Sequence, residues 1–276
     1  MSRRLFGLFA ITLIGGTLLV GTPASATTAP AVTVDFTGIV ALSNCSGSVV
    51  KPAAASVNDP ALVLSNGHCV KLMAAGEVIV DQSSTRTFSL LNAAGTGTLG
   101  TLRATRLAYA TMTGTDVSLY RLNQTYAQIQ QQFGSRALDL SATHPSAATD
   151  IKVVSGYWRR IYSCRIDAFV HTLRESNWTW RDSIRYTSAS ACQTIGGTSG
   201  SPIVDVATGR VVGVNNTSNE SGQRCTLNNP CEVDQAGNIT VRRGARYGQQ
   251  TYQINACIGA GNTVNLTLPG CTLARP

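Results

Sequence analysis

Short apolar runs of β type, each cut off by Gly, Ser or Asn, recur along this chain from Val32 onward, and that pattern leaves few folds open. Two such runs, between Val32 and Val50, flank Ser43-Asn44-Cys45. A third, Ala61-Leu62-Val63-Leu64, stops at Ser65-Asn66-Gly67, a turn signal. Glu77 to Asp81, Thr87 to Leu91, Leu102 to Tyr109 and Thr115 to Leu122 continue the series. It resumes with Ile151 to Val154, Tyr162 to Val170, Ile184 to Thr187, Ile203 to Val206, Val211 to Val214 and Tyr247 to Thr251. Short strands at such regular spacing predict an all-β barrel or sandwich. Helical spacing is strongest at Gln124 to Phe133, where Tyr126, Ile129 and Phe133 share a face and Gly134 would end the element. Tyr252 to Ile258 fits a short closing helix. Leu122 to Asp150 reads as a connection, so the strands fall into two groups of similar size.

Residues 1–26 carry a basic start at Arg3-Arg4, an apolar stretch from Leu5 to Val20 and the small-residue site Ala24-Ser25-Ala26. These are the three parts of a secretory signal, which predicts export and a mature chain from residue 27. That leaves about 250 residues, enough for one large domain or two small ones. No later stretch could cross a bilayer, so no membrane association is expected once the signal is removed. Eight cysteines follow the signal, and an even count in an exported chain implies disulfides. No pair is separated by two residues, which argues against a metal site. The net charge of +8 includes Arg3 and Arg4. The remaining basic residues are scattered, apart from Arg159-Arg160 and Arg242-Arg243, with no basic stripe and no interleaved aromatics. This is a solvated surface rather than a nucleic-acid site.

Gly196-Gly197-Thr198-Ser199-Gly200-Ser201-Pro202 concentrates the chemistry. Glycines on both sides of a serine let the backbone turn its own N–H groups toward an oxygen beside the hydroxyl. Acyl transfer needs that layout: a nucleophile with donors for the oxyanion it creates. A plain Gly/Ser turn between strands is the alternative. A serine nucleophile needs a base, and imidazole is the natural acceptor. The chain has three histidines. His144 sits in the proline-bearing connection and His171 ends a strand-like run. His68 follows a turn at the end of an apolar strand, beside Cys69. The imidazole in turn needs a carboxylate to orient it. Asp116 opens Asp116-Val117-Ser118-Leu119 and is the best candidate; Asp81, Asp139 and Asp150 have weaker surroundings.

His68-Cys69, Asp116-Val117-Ser118-Leu119 and Gly197-Thr198-Ser199-Gly200-Ser201-Pro202 resemble the three motifs of the chymotrypsin-like serine peptidases, in the family's order and near its separations. The resemblance spans about Thr37 to Ile258. It implies two antiparallel six-stranded β-barrels, about 32–122 and 151–258. They are joined by a link of about 123–150, with the active site in the cleft between them, a short C-terminal helix and a tail of 259–276. It implies peptide-bond hydrolysis on polypeptide substrates by a secreted, monomeric enzyme that needs no cofactor. His68 matches the general base, Asp116 its orienting acid and Ser199 the nucleophile. The N–H groups of Gly197 and Ser199 match the oxyanion hole. Cys45–Cys69 matches the family's bridge beside the histidine. Sequence proximity then pairs Cys164 with Cys192, Cys225 with Cys231, and Cys257 with Cys271.

The digestive members carry an aspartate before the nucleophile, which pairs with a freed N-terminal amine on activation. Here Thr198 stands in its place, so that switch is absent. Gly-Thr-Ser-Gly-Ser-Pro, together with Thr194, is closer to the bacterial glutamyl-endopeptidase-like branch. That branch's specificity histidine has no counterpart, because Val214 and Asn215 occupy its region. The substrate pocket is expected between Gln193-Thr194 and Val214-Asn215-Asn216. Gln193 is neutral, so no demand for Lys or Arg is indicated. Asn215 to Arg246 is a long polar insertion with a hairpin-like stretch at Val233 to Ile239. Asp234 and Asn238 fit a turn there better than a calcium loop. Two other readings remain: an inactive relative that uses the same barrels as a binding module, and an α/β-hydrolase esterase. The esterase wants Gly-x-Ser-x-Gly and a Ser, acid, His order; Ser201 and the order found here both depart from it.

Overall fold

The structure is a computed structural model that describes Met1, residues 32–186 and residues 190–276. The expected export signal lies, apart from Met1, outside the described residues. The described residues from 32 onward belong to one compact unit.

The chain folds into two sheets, each carrying a closed ring of strands. The first sheet holds β1 (Ile39–Ala41), β2 (Ser46–Lys51), β3 (Pro60–Ser65), β4 (Val78–Ser83), β5 (Thr87–Leu91), β6 (Thr98–Thr111), β7 (Val117–Thr125) and β8 (Leu138–Asp139). Its strands follow the order β1-β5-β6-β7-β3-β2, and β1 also pairs with β2, which closes a six-stranded barrel. Closure removes the exposed edges that an open antiparallel sheet would present.

The second sheet holds β9 (Asp150–Ser155), β10 (Arg160–Glu175), β11 (Trp178–Tyr186), β12 (Pro202–Asp205), β13 (Val211–Ser218), β14 (Cys231–Val233), β15 (Ile239–Thr240) and β16 (Arg246–Gln250). The order β11-β16-β13-β12-β9-β10, with β10 pairing back to β11, makes a second six-membered ring. β14 and β15 extend it as the hairpin expected at Val233 to Ile239.

Burial follows from strand periodicity. Along the first half of β10, Tyr162, Cys164 and Ile166 are buried, while Ser163, Arg165 and Asp167 between them are exposed. One apolar cluster brings Val63, Phe88, Leu102 and Tyr120 of the first sheet together with Leu173 and Trp180 of the second. The Trp180 indole donates to the Met112 carbonyl at 2.9 Å, so the tryptophan that fills this junction also satisfies its polar atom.

The differences from the sequence reading are local. α1 (Tyr126–Phe133) starts two residues later than expected. Thr125 caps it: its hydroxyl accepts the Gln128 N–H, and the Gln128 side chain returns to the Thr125 N–H. The connection is not all loop, because Leu138 and Asp139 pair in parallel with Val50 and Lys51. β11 begins at Trp178, well before the expected Ile184. The C-terminal element at Tyr252–Cys257 is a 3₁₀ helix. The sulfurs form Cys45–Cys69, Cys164–Cys192, Cys225–Cys231 and Cys257–Cys271 bridges, and among the described residues no cysteine is free.

Candidate active site

His68 lies in the turn that leaves β3, and the Cys45–Cys69 bridge ties that turn to the residue before β2. Asp116 immediately precedes β7 and is fully buried. Its Oδ2 lies 2.8 Å from His68 Nδ1, and its Oδ1 accepts the His68 main-chain N–H at 3.1 Å. An ionised carboxylate can only accept, so the imidazole proton sits on Nδ1 and Nε2 is left with its lone pair. Burial alone would depress the imidazole pKa. The Asp116 charge and hydrogen bond, with the charge of Glu175, outweigh it and hold His68 above its ordinary value.

Ser199 enters the same cavity from the loop before β12. His68, Asp116, Thr198, Ser199, Asn215 and Asn216 all line it. The Ser199 hydroxyl points to the Asn216 carbonyl at 3.3 Å, longer than an ordinary O–H···O bond, and is not bonded to His68. Such resting geometry commonly tightens only with substrate in place. Thr198, the residue that departs from the digestive pattern, closes the loop from within. Its N–H and hydroxyl both donate to the Ile195 carbonyl, at 3.0 and 2.5 Å, and its hydroxyl accepts from Asn215 Nδ2 at 3.1 Å. The Tyr186 hydroxyl bonds the other end of the Asn215 amide. The loop is therefore braced by neutral hydrogen bonds that require no freed terminus.

Gly200 allows the close approach. Its φ is +79°, and a Cβ there would lie 2.1 Å from the Ser46 carbonyl oxygen. Asn66 joins the parts. Its Nδ2 donates to the Asp116 carbonyl at 2.8 Å, and its Oδ1 accepts the Gly200 N–H at 2.5 Å. One buried amide thus links the turn of the histidine, the segment of the acid and the loop of the serine. In the sequence Asn66 reads only as a turn residue.

The expected pocket residues separate. Thr194, Asn215 and Asn216 line the cavity. Val214 does not: its side chain is fully buried in the apolar core, whereas Asn215 and Asn216 both reach the cavity where the register of β13 shifts between Asn215 and Thr217. Gln193 also stands outside, in an adjoining groove, where its Oε1 accepts from Arg246 at 2.6 Å.

The cavity also contains an acid that no local sequence pattern marks. Glu175, only 4% exposed, ends β10 and lines the cavity. Its Oε2 accepts from the Thr217 hydroxyl at 2.7 Å and its Oε1 from the Asn228 N–H at 2.9 Å. Burial pushes its carboxyl pKa up. Asn228 belongs to the polar insertion, so Glu175 latches that insertion to β13. Leu227 and Glu220 of the insertion form part of the cavity wall.

Cys45, His68 and Cys69 come close enough together to suggest a metal cluster. The two sulfurs are bonded to each other and His68 Nδ1 to Asp116, so neither thiolates nor that nitrogen are on offer. His144 instead bridges Asp182 and Gln250 and packs on Phe169, and His171 bonds the neighbouring Thr172 hydroxyl. Neither lines the cavity.

A family model described as a trypsin-like peptidase domain matches residues 45–214. No curated protein matches the chain. Among solved structures, the active form of the Rv3671c protease from M. tuberculosis aligns at 16% identity with a TM-score of 0.46, covering 86% of this chain and 82% of that one. A Nocardiopsis protease aligns at 15% identity with a TM-score of 0.43, covering 79% and 93%. A glutamic acid specific serine protease described as using a histidine triad in substrate binding aligns at 16% identity with a TM-score of 0.42, covering 77% and 91%.

Proposed function

This chain belongs to the trypsin-like peptidase family, and on that footing we propose that it is a secreted serine endopeptidase with His68, Asp116 and Ser199 as its catalytic residues. The observation that carries the reading is the 2.8 Å His68–Asp116 pair on the same cavity as Ser199. Four disulfides support export, and among the described residues no helix is long and apolar enough to cross a membrane.

In this mechanism the Ser199 hydroxyl turns from the Asn216 carbonyl to His68 Nε2. Nε2 takes its proton as Oγ attacks the substrate carbonyl carbon. Asp116 holds the ring and stabilises the imidazolium that forms. The oxyanion is received by the N–H groups of Gly197 and Ser199, neither of which has an acceptor among the described residues. His68 then protonates the leaving amine as the C–N bond breaks. Water, deprotonated by His68, releases the acyl group and restores Ser199. Thr194, Asn215 and Asn216, which line the cavity, are the substrate-binding residues of this reading.

Casein hydrolysis by wild type, Ser199→Ala and His68→Ala tests the assignment. Each variant is expected to lose roughly 10⁴-fold or more in turnover with its thermal transition unchanged. Cleavage by either variant at the wild-type rate would show that the residues are misassigned.

A further inference from the structure

The loop that carries Ser199 is held by its carbonyls. The Gly196 carbonyl accepts from Trp158 Nε1 at 2.7 Å, and the Gly197 carbonyl accepts from Ser46 Oγ at 3.3 Å. The Thr198 carbonyl accepts the Ser201 N–H at 3.1 Å, and the Ser199 carbonyl accepts the Ser46 N–H at 2.8 Å. Every carbonyl from 196 to 199 therefore has a donor. By contrast, neither the Gly197 nor the Ser199 N–H has an acceptor among the described residues. Gly197 and Ser199 are only half-buried, so with the surrounding carbonyls held these two N–H groups are left open to water or to a ligand.

Trp158 is the unexpected member of this arrangement. It sits in the turn between β9 and β10, and 48% of it is exposed. An indole so placed could give its N–H to water, yet here it reaches a main-chain carbonyl. The turn is built to hold it. The Trp158 N–H donates to Ser155 Oγ at 3.2 Å, and Ser155 Oγ bonds Ser46 Oγ at 3.0 Å. Ser46 Oγ also accepts the Tyr157 N–H at 3.1 Å. The Tyr157 ring packs edge-on against the indole. The C=O and N–H of a trans peptide point in opposite directions. A bond drawing the Gly196 carbonyl toward the indole therefore turns the Gly197 N–H away from it. Gly197 has a φ of +86°, and a Cβ there would lie 2.9 Å from both Trp158 Nε1 and Tyr157 Cδ1, so only glycine lets the indole close over this peptide.

We propose that Trp158 is a positioning residue for peptide hydrolysis: its indole N–H fixes the Gly196–Gly197 peptide with the Gly197 N–H aimed at the oxyanion, and Ser46 supports the next peptide. The inference rests on the peptidase reading above. Without the indole bond the peptide is free to rotate, and the fraction of protein with the donor correctly aimed falls. The substrate's ground-state carbonyl depends little on that donor, whereas the oxyanion depends on it strongly.

Trp158→Phe keeps an aromatic ring and removes the N–H. Outright loss of an oxyanion donor lowers kcat by ~10²–10³. For a donor that is present but unheld, kcat on a peptide amide is expected to fall roughly 10–100-fold, with KM within about twofold and the melting temperature unchanged. The affinity of a peptidyl boronate, whose tetrahedral adduct occupies the oxyanion position, should weaken by the same factor as kcat/KM. A merely structural role would not move these two together. Should Trp158→Phe not fold, benzothienylalanine at position 158 removes the N–H while keeping the bicyclic ring, with the same expectation. Folded variant protein with wild-type kcat overturns the inference, as does a loss confined to KM. Wild-type protein that neither cleaves peptides nor binds the boronate overturns the peptidase reading itself, and this inference with it.

Discussion

Asn66→Ala should uncouple the three parts of the site and destabilise the fold. Asn66 is fully buried, and its side chain makes two hydrogen bonds. The consequences of losing them differ. The Asp116 carbonyl, which accepts from Asn66 Nδ2, has no other donor among the described residues; leaving it unpaired costs about 1–3 kcal/mol. The Gly200 N–H keeps a second acceptor, the Asn215 carbonyl at 3.0 Å, so that side loses only an ordinary bond, about 0.5–1.5 kcal/mol. Together the loss is about 1.5–4.5 kcal/mol, or roughly 3–18 °C in Tm for a domain of this size. Urea unfolding of wild type and variant measures it directly. The midpoint should fall with the slope m unchanged, since a truncation at one buried site barely alters the surface exposed on unfolding. Turnover should drop as well, because the histidine–acid pair is no longer tied to the serine loop. A stability change under about 0.5 kcal/mol would refute the reasoning, since it would mean that the bridge between the segments holds nothing in place.

Further consequences follow from the bridges and the acids. The Cys45–Cys69 bridge spans a sequence separation of 24 and Cys225–Cys231 one of 6. Loop-closure entropy puts their contributions at about 3.5 and about 2.2 kcal/mol. The Cys45→Ala/Cys69→Ala double variant should therefore lose more stability in denaturant melts than Cys225→Ala/Cys231→Ala, and the reverse order would contradict this. Glu175→Gln removes one of the negative charges that raise the His68 pKa. The base works deprotonated, so the acid limb of the kcat/KM–pH profile should move to lower pH. A limb that stays put or moves up would exclude a charge effect of Glu175 on His68.

Strands and motifs are legible in the sequence because each is local, whereas the Cys45–Cys69 pairing, across a separation of 24, came from the family resemblance. β5 matches its apolar run residue for residue, and the His68, Asp116 and Ser199 motifs are each contained within a few consecutive residues. What escaped depends on partners far along the chain. β8 is two residues long and is a strand only because β2 pairs with it. Ser176 and Asn177 look like loop, but they form the tip between β10 and β11, so the strand starting at Trp178 was hidden behind them. Glu175 finds its two partners 42 and 53 residues away, and nothing around it in the sequence marks it as buried. Val214 lies in the core: proximity to Asn215 in sequence does not decide which way a residue of β13 faces. In Asn66 the turn signal was legible, whereas its bonds to Asp116 and Gly200 exist only once β7 and the serine loop are in place. Trp158 is similar, since an exposed aromatic in a turn has no sequence mark that ties it to a glycine 38 residues further on.

The central claim is that Ser199 is an assembled nucleophile served by His68. Treating the folded protein with a fluorophosphonate, followed by intact mass and peptide mapping, tests it most directly. A single adduct on Ser199, absent from His68→Ala, is the result this account predicts. Well-folded wild-type protein that takes no adduct, or takes one equally without His68, would contradict it.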